Sequence, residues 1–222
     1  MINAVIFDMD GVIVDSEPLH KAVERQIFIE LAMDVPLERQ HAFTGTSNAI
    51  MWAQLKAEYN LPESIDHYVA IKESRYLKLV ATDESISLIP GVEELLTSIK
   101  TAGIPIALAS SSSLENIKII LNRFKLDSYF LAVASGEEVA LSKPNPEVFL
   151  LAASRLGIAP TNCLVIEDSA NGVSAAKAAG MFCIGLQEDQ FNRQDLSQAD
   201  FIISSLKEIP NNLNSIIPKS MR

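Results

Sequence analysis

The chain has 222 residues, 48% hydrophobic and 21% charged, enough for one sizeable core or a core with a small satellite domain. Its net charge of −10 is spread without a long block of like charge, which argues against a broad grip on nucleic acid or an anionic membrane. Cys163 and Cys183 are its two cysteines, and both lie in apolar runs, the pattern of buried thiols rather than a disulfide framework. With no signal-peptide pattern and no long apolar span, the expectation is a soluble, cytoplasmic protein.

Ala4-Val5-Ile6-Phe7 reads as a strand buried on both faces, as in a parallel sheet. It runs into Asp8-Met9-Asp10 and then Gly11, which permits a turn that other residues resist. Asp15 or Ser16 can cap the next helix, with Pro18 in its first turn. From Leu19 to Val80 the chain reads almost wholly helical, with breaks at Asp34-Val35-Pro36, Thr44 to Asn48 and Asn60-Leu61-Pro62. Ile89-Pro90-Gly91 then punctuates a change to alternating helix and strand. Helices are expected at Val92 to Ala102, Leu114 to Phe124, Glu147 to Leu156 and Ala170 to Ala179, with Gly103 and Gly180 as stops. Strands are expected at 105–109, 129–134, 162–166, 182–186 and 201–203, with a short helix near 205–216 and a frayed end at 219–222. Repeated strand–helix units of this size imply an α/β fold built on a parallel sheet.

The polar clusters fall at the carboxyl ends of the proposed strands, where open α/β sheets collect their ligands. Asp8 and Asp10 follow the first, Ser110 the second, and Glu167 with Asp168 the fourth, while Lys143 sits in a loop before a helix. Taken singly, each has a plain alternative: an acidic turn, a helix-capping serine, a solvated lysine. Together they point to one cleft. The chemistry that needs this set is phosphoryl transfer, in which a carboxylate attacks phosphorus and a hard cation takes oxygen ligands. A lysine offsets the excess of carboxylates, and a second carboxylate two residues on can donate and then accept a proton.

Asp8-Met9-Asp10-Gly11-Val12, Ser110 after an apolar strand, Lys143-Pro144-Asn145-Pro146 and Glu167-Asp168-Ser169 resemble the four motifs of the haloacid dehalogenase-like (HAD) hydrolases. The helical stretch after the first motif resembles the small cap of the β-phosphoglucomutase-like and sugar-phosphate phosphatase branch. The resemblance implies a Rossmann-like core over residues 1–15 and 89–222 and an inserted helical cap over 16–88. It implies Asp8 as nucleophile, Asp10 as general acid/base, and Ser110, Ser111 and Lys143 as phosphate holders. Mg²⁺ would be held among Asp8, Asp10 (through its carbonyl), Glu167 and Asp168. In the cap, His20, Gly45, Asn48 and Lys72 are the substrate candidates, those near Gly45, Asn48 and Lys72 mostly uncharged or flexible. Asn48 and Ser113 stand where the mutases resembled here carry cations, which favours a phosphatase for a small phosphorylated metabolite over a mutase. No long exposed apolar stripe is evident, so a monomer is expected.

Overall fold

The computed structural model describes residues 1–43, 47–187 and 194–209. Ala4, Val5, Ile6 and Phe7 are all fully buried and form strand β1 (Ala4–Phe7), the centre of a parallel sheet. The other strands of that sheet are β4 (Ile106–Ser110), β5 (Ala132–Ser135), β6 (Cys163–Glu167), β7 (Phe182–Leu186) and β8 (Phe201–Ile203). Their order is β5-β4-β1-β6-β7-β8, with every pairing parallel. Because β1 lies between β4 and β6, its carboxyl end is where the strand order reverses, the place such sheets offer to a ligand.

A run without a polar face needs cover on both sides. Ala4, Ile6, Ala107, Ala109, Cys163 and Val165 pack with the apolar faces of α7 (Glu147–Leu156) and α8 (Ala170–Ala178). Small alanines on α8 and on the strands let helix and sheet approach closely, while Phe149 of α7 fills the space that remains. The residues that alternate with these, Val5, Phe7, Leu108 and Ile166, are equally buried. Two further helices, α5 (Val92–Thr101) and α6 (Leu114–Phe124), bury one apolar stripe each.

A two-residue ladder pairs β2 (Val14–Asp15) antiparallel with β3 (Ser87–Leu88). The chain divides into two compact units: Met1–Asp15 with the described residues from Ser87 onward, and Ser16–Ile86. The first unit takes in Ser87 and Leu88, which the sequence reading grouped with the helical stretch. The second unit consists of α1 (Glu17–Glu30), α2 (Leu37–Ala42), α3 (Asn48–Tyr59) and α4 (Ile65–Thr82). Trp52 stacks on Tyr68 with ring centroids 5.1 Å apart, and Phe28 meets Trp52 edge-on at 6.1 Å, so α1, α3 and α4 share one aromatic core.

Two sequence expectations shift. The strand placed at 129–134 begins only at Ala132, because Asp127–Tyr129 closes a helical turn in which the Tyr129 N–H donates to the Leu126 carbonyl (3.0 Å). Ser16 precedes α1, but its hydroxyl makes no capping bond there. Of the helix expected near 205–216, only the turn Leu206–Glu208 falls among the described residues, and the tail at 219–222 falls outside them. No helix among the described residues is long and apolar enough to cross a membrane.

Candidate active site

The Asp8 N–H donates to the Ile166 carbonyl (3.0 Å), which carries the extended course of β1 one residue past its end. The chain then turns sharply: the Met9 carbonyl accepts from the N–H groups of Ile13 (2.8 Å) and Val14 (3.1 Å), and Gly11 stands at φ +82°. A left-handed residue costs least as glycine, and space demands glycine too. A Cβ at Gly11 would lie 2.1 Å from Asp168 Oδ2. The glycine therefore brings the acid after β6 up against the turn after β1.

Lys143 comes from the Ser142–Pro146 turn ahead of α7, where the Asn145 N–H donates to the Ser142 carbonyl (3.0 Å) and the Lys143–Pro144 bond is cis. Its Nζ donates to Asp8 Oδ1 (2.5 Å), Glu167 Oε1 (2.8 Å) and the Ala109 carbonyl (3.2 Å), and it lies 4.6 Å from the centre of the Phe149 ring. Those three bonds match the three donors of an ammonium. Glu167, 1% exposed, uses its other oxygen to accept from the Ser169 N–H (2.7 Å) and hydroxyl (2.9 Å). A Cβ at Gly172 would lie 1.6 Å from Glu167 Oε1, so the first turn of α8 also has to carry a glycine.

Asp8, Glu167 and Asp168 bring ligand oxygens within 4.8 Å of one another. Burial pushes the Asp8 carboxyl up to about 7, with Glu167 and Asp10 adding to the rise and Lys143 opposing it. Burial, Glu167 and Asp8 likewise hold Asp168 well above the ordinary carboxylate range. Burial disfavours the Lys143 ammonium, but Asp8 and Glu167 outweigh it and keep the group charged above its usual value. One ammonium among three carboxylates leaves a surplus of negative charge, which a hard divalent cation with oxygen ligands relieves. The donor set fits Mg²⁺: all oxygen, clustered, and short of positive charge.

The structure brings together Asp8, Asp10, Ser110, Lys143, Glu167 and Asp168. The Asp10 carboxylate stands apart from the three-acid group and accepts from the Ser112 hydroxyl at Oδ2 (2.9 Å). Ser110, 1% exposed, accepts the Ser112 N–H at its hydroxyl (3.0 Å), while Ser111 is exposed. Ser113 caps α6, accepting from the Asn116 N–H (3.3 Å). The remaining candidates belong to the helical stretch. Lys72 is a buried ammonium that pairs with Glu24 and donates to Asn48 Oδ1 (2.6 Å). His20 stacks on Tyr76 at 3.9 Å, and burial with the nearby Lys72 pushes its pKa down to about 3 against the pull of Glu17. Gly45 lies outside the described residues.

Sequence reasoning missed Gly172, Glu24, Ser112 as a partner of Asp10, and Phe149. Gly172 did leave a signal, since glycine inside a helix costs about 1 kcal/mol against alanine and calls for a reason.

Comparison with known proteins agrees with this geometry. The family model of the haloacid dehalogenase-like hydrolases matches residues 2–180. Hexitol phosphatase B of Escherichia coli (strain K12) is 35% identical over 215 residues, covering 94% of each chain. The beta-phosphoglucomutase of Bacillus subtilis (strain 168) is 33% identical over 197 residues, covering 85% of each. The crystal structure of CbbY from Rhodobacter sphaeroides in complex with phosphate superposes with a TM-score of 0.82 at 29% identity, covering 94% of this chain and 96% of that one. With three strand-end motifs and the Lys143 turn gathered at one end of a parallel sheet, the chain belongs to the haloacid dehalogenase-like hydrolases, in the branch that holds the sugar-phosphate phosphatases and β-phosphoglucomutases.

Proposed function

We propose that this phosphoric monoester hydrolase cleaves a small sugar phosphate in two steps, through a phosphoryl group carried on Asp8. The observation that carries the reading is the contact of the Asp8 carboxylate with the Lys143 ammonium at the end of β1 (2.5 Å). In the first step an Asp8 oxygen attacks phosphorus as the bond to the leaving oxygen breaks, and Asp10 gives that oxygen its proton. In the second, Asp10 takes a proton from water, the water oxygen attacks phosphorus, and Asp8 is released with inorganic phosphate. Lys143 neutralises the phosphoryl oxygens, and Ser110 shapes the loop on which they rest. Asp8, Asp168 and the Asp10 carbonyl would hold Mg²⁺, with Glu167 beside them fixing Lys143. When bound, the ion supplies positive charge to the phosphoryl group.

We assign the choice of leaving group to the helical unit, as its cap. Lys72, its buried cation, is already engaged by Glu24 and Asn48, so this cluster has no cation in reserve for a second phosphate. That favours a neutral, hydroxylated leaving group. The second reading, a mutase working through a bisphosphate, is kept by the 33% identity to the Bacillus subtilis beta-phosphoglucomutase. We further place the protein in the cytoplasm as a monomer, in keeping with its acidic charge and two buried thiols.

Hydrolysis of p-nitrophenyl phosphate with and without Mg²⁺ tests the reading, with Asp8→Asn as control. Mg²⁺-dependent phosphate release that falls to background in the variant is expected. Undiminished release by Asp8→Asn overturns the assignment of the nucleophile. Sugar-phosphate isomerisation without phosphate release favours the mutase.

A further inference from the structure

Ser135 ends β5 opposite Ser110 in the ladder, and it is fully buried. Its hydroxyl oxygen accepts from the Glu137 N–H (3.1 Å), which closes the short turn Gly136–Glu138. That is a local structural duty, and it occupies only the acceptor side of the group. The hydroxyl proton goes elsewhere, across to the Ser112 carbonyl (2.7 Å) in the loop after β4. Two more contacts join the same loops. The Leu114 N–H donates to Glu137 Oε2 (2.9 Å), and a Cβ on Gly136 would lie 2.6 Å from the Ser111 carbonyl oxygen.

Ser112 is therefore held at three points. Its carbonyl accepts from Ser135, its N–H donates to Ser110 Oγ (3.0 Å), and its hydroxyl donates to Asp10 Oδ2 (2.9 Å). The third bond ties one oxygen of the Asp10 carboxylate to the loop after β4. We propose that Ser135 is a positioning residue for proton transfer: by locking Ser112 it sets the Asp10 carboxyl at the angle that protonation of the leaving oxygen requires. This rests on the reading of Asp10 as the acid/base. Ser135 itself touches no reacting atom.

The second anchor of the lock lies further out. The Ser135 N–H donates to Glu138 Oε2 (3.0 Å), and Arg155 of α7 grips Glu138 through two bonds of 2.7 and 2.9 Å. The position of the hydroxyl is thus set on both sides of the residue, by the turn and by the helix.

The test compares kcat and KM on p-nitrophenyl phosphate with those on an alkyl phosphate such as glycerol phosphate. Nitrophenolate departs with little help from an acid, whereas an alkoxide needs its proton. For Ser135→Ala the ratio of the two kcat values should move about tenfold against the alkyl ester, a part of what general acid catalysis supplies. KM should stay within about twofold, and Ser135→Thr, which keeps the hydroxyl, should restore the ratio. Ser112→Ala should shift it likewise, and the double variant no further, since both act through one bond to Asp10. Equal losses on the two esters, or additive losses in the double variant, overturn the proposal. If Ser135→Ala melts below the assay temperature, Ser135→Cys, a weak donor of similar size, is read in its place. A wild-type protein without activity on either ester overturns the phosphatase reading instead, so the two failures are separable.

Discussion

Gly172 shows how one missing atom can decide a site. Its backbone N–H donates to the Ser169 hydroxyl (3.0 Å), an ordinary capping bond, but the space beside it belongs to the Glu167 carboxylate. In Gly172→Ala either the helix start or Glu167 has to move, and Glu167 is one of the three acceptors that hold the Lys143 ammonium. The expected outcome is a fall in kcat of about tenfold or more, at the scale that a displacement of about 1 Å brings to positioned groups. Far-UV circular dichroism should stay native, and a variant with wild-type kcat would refute the account. Asp8, Asp10, Glu167 and Asp168 were legible in the sequence because each ends or follows an apolar run, and Lys143 through its motif in the loop ahead of a helix. Gly172 and Ser112 were not, since what they touch is fixed by distances between loops more than 100 residues apart in one case and by a single Cβ in the other. Sequence spacing carries neither.

Secondary structure was legible where one period dominates. The spans of α6, α7 and β7 coincide with the expected ranges, since an unbroken apolar stripe or run sets each of them. It was less legible at β5, where Tyr129 and Phe130 look like strand residues but are taken up by a tertiary-supported turn. The same stretch of chain carries a prediction. Arg155 of α7, with the Ser135 N–H, holds the Glu138 carboxyl down at about 2 against the opposing effect of burial. The folded state thus prefers Glu138 ionised more strongly than the unfolded chain does, whose value is near 4.5. The sign follows from linkage: this stability is present above 4.5 and is lost as the pH falls toward 2. The melting temperature of the wild type should exceed that of Glu138→Gln at pH 6, and the gap should narrow steadily below pH 4.5. A gap that stays constant down to pH 2.5 would show that the pair does not contribute. A second expectation concerns packing in the same layer. Phe149 is fully buried against the sheet, so Phe149→Ala should cost about 3–5 kcal/mol in a denaturant titration. It should also release the Lys143 ammonium that sits over the ring.

At the scale of the molecule the two units handle charge in opposite ways. The sheet unit gathers more negative charge than it neutralises, and a divalent cation should therefore stabilise it. At Mg²⁺ concentrations about 100-fold above the dissociation constant, the gain is about 2.7 kcal/mol, or about 5–10 °C in melting temperature for a chain of this length. Asp168→Asn should abolish that rise, and an unchanged melt with and without EDTA would remove the support for the metal.

In the helical unit the buried charges are paired: Lys72 meets Glu24 between α1 and α4, both nearly inaccessible, and His20 alongside is uncharged at neutral pH. Burying such a pair gains little stability over an apolar replacement, while removing one partner costs about 3–5 kcal/mol. The proposed role of the helical unit as cap would give the pair a second use, in the choice of leaving group. Intact, the pair carries no net charge, in keeping with the proposed sugar or polyol leaving group. Glu24→Gln leaves the ammonium of Lys72 uncompensated. The variant should melt lower than wild type, and its kcat/KM for a sugar bisphosphate should rise about tenfold relative to that for the monophosphate. Glu24→Gln with Lys72→Gln restores neutrality, so the preference should return while the melt partly recovers. If Glu24→Gln lowers stability but leaves the preference unchanged, the pair is structural, and the case for a neutral leaving group loses its support.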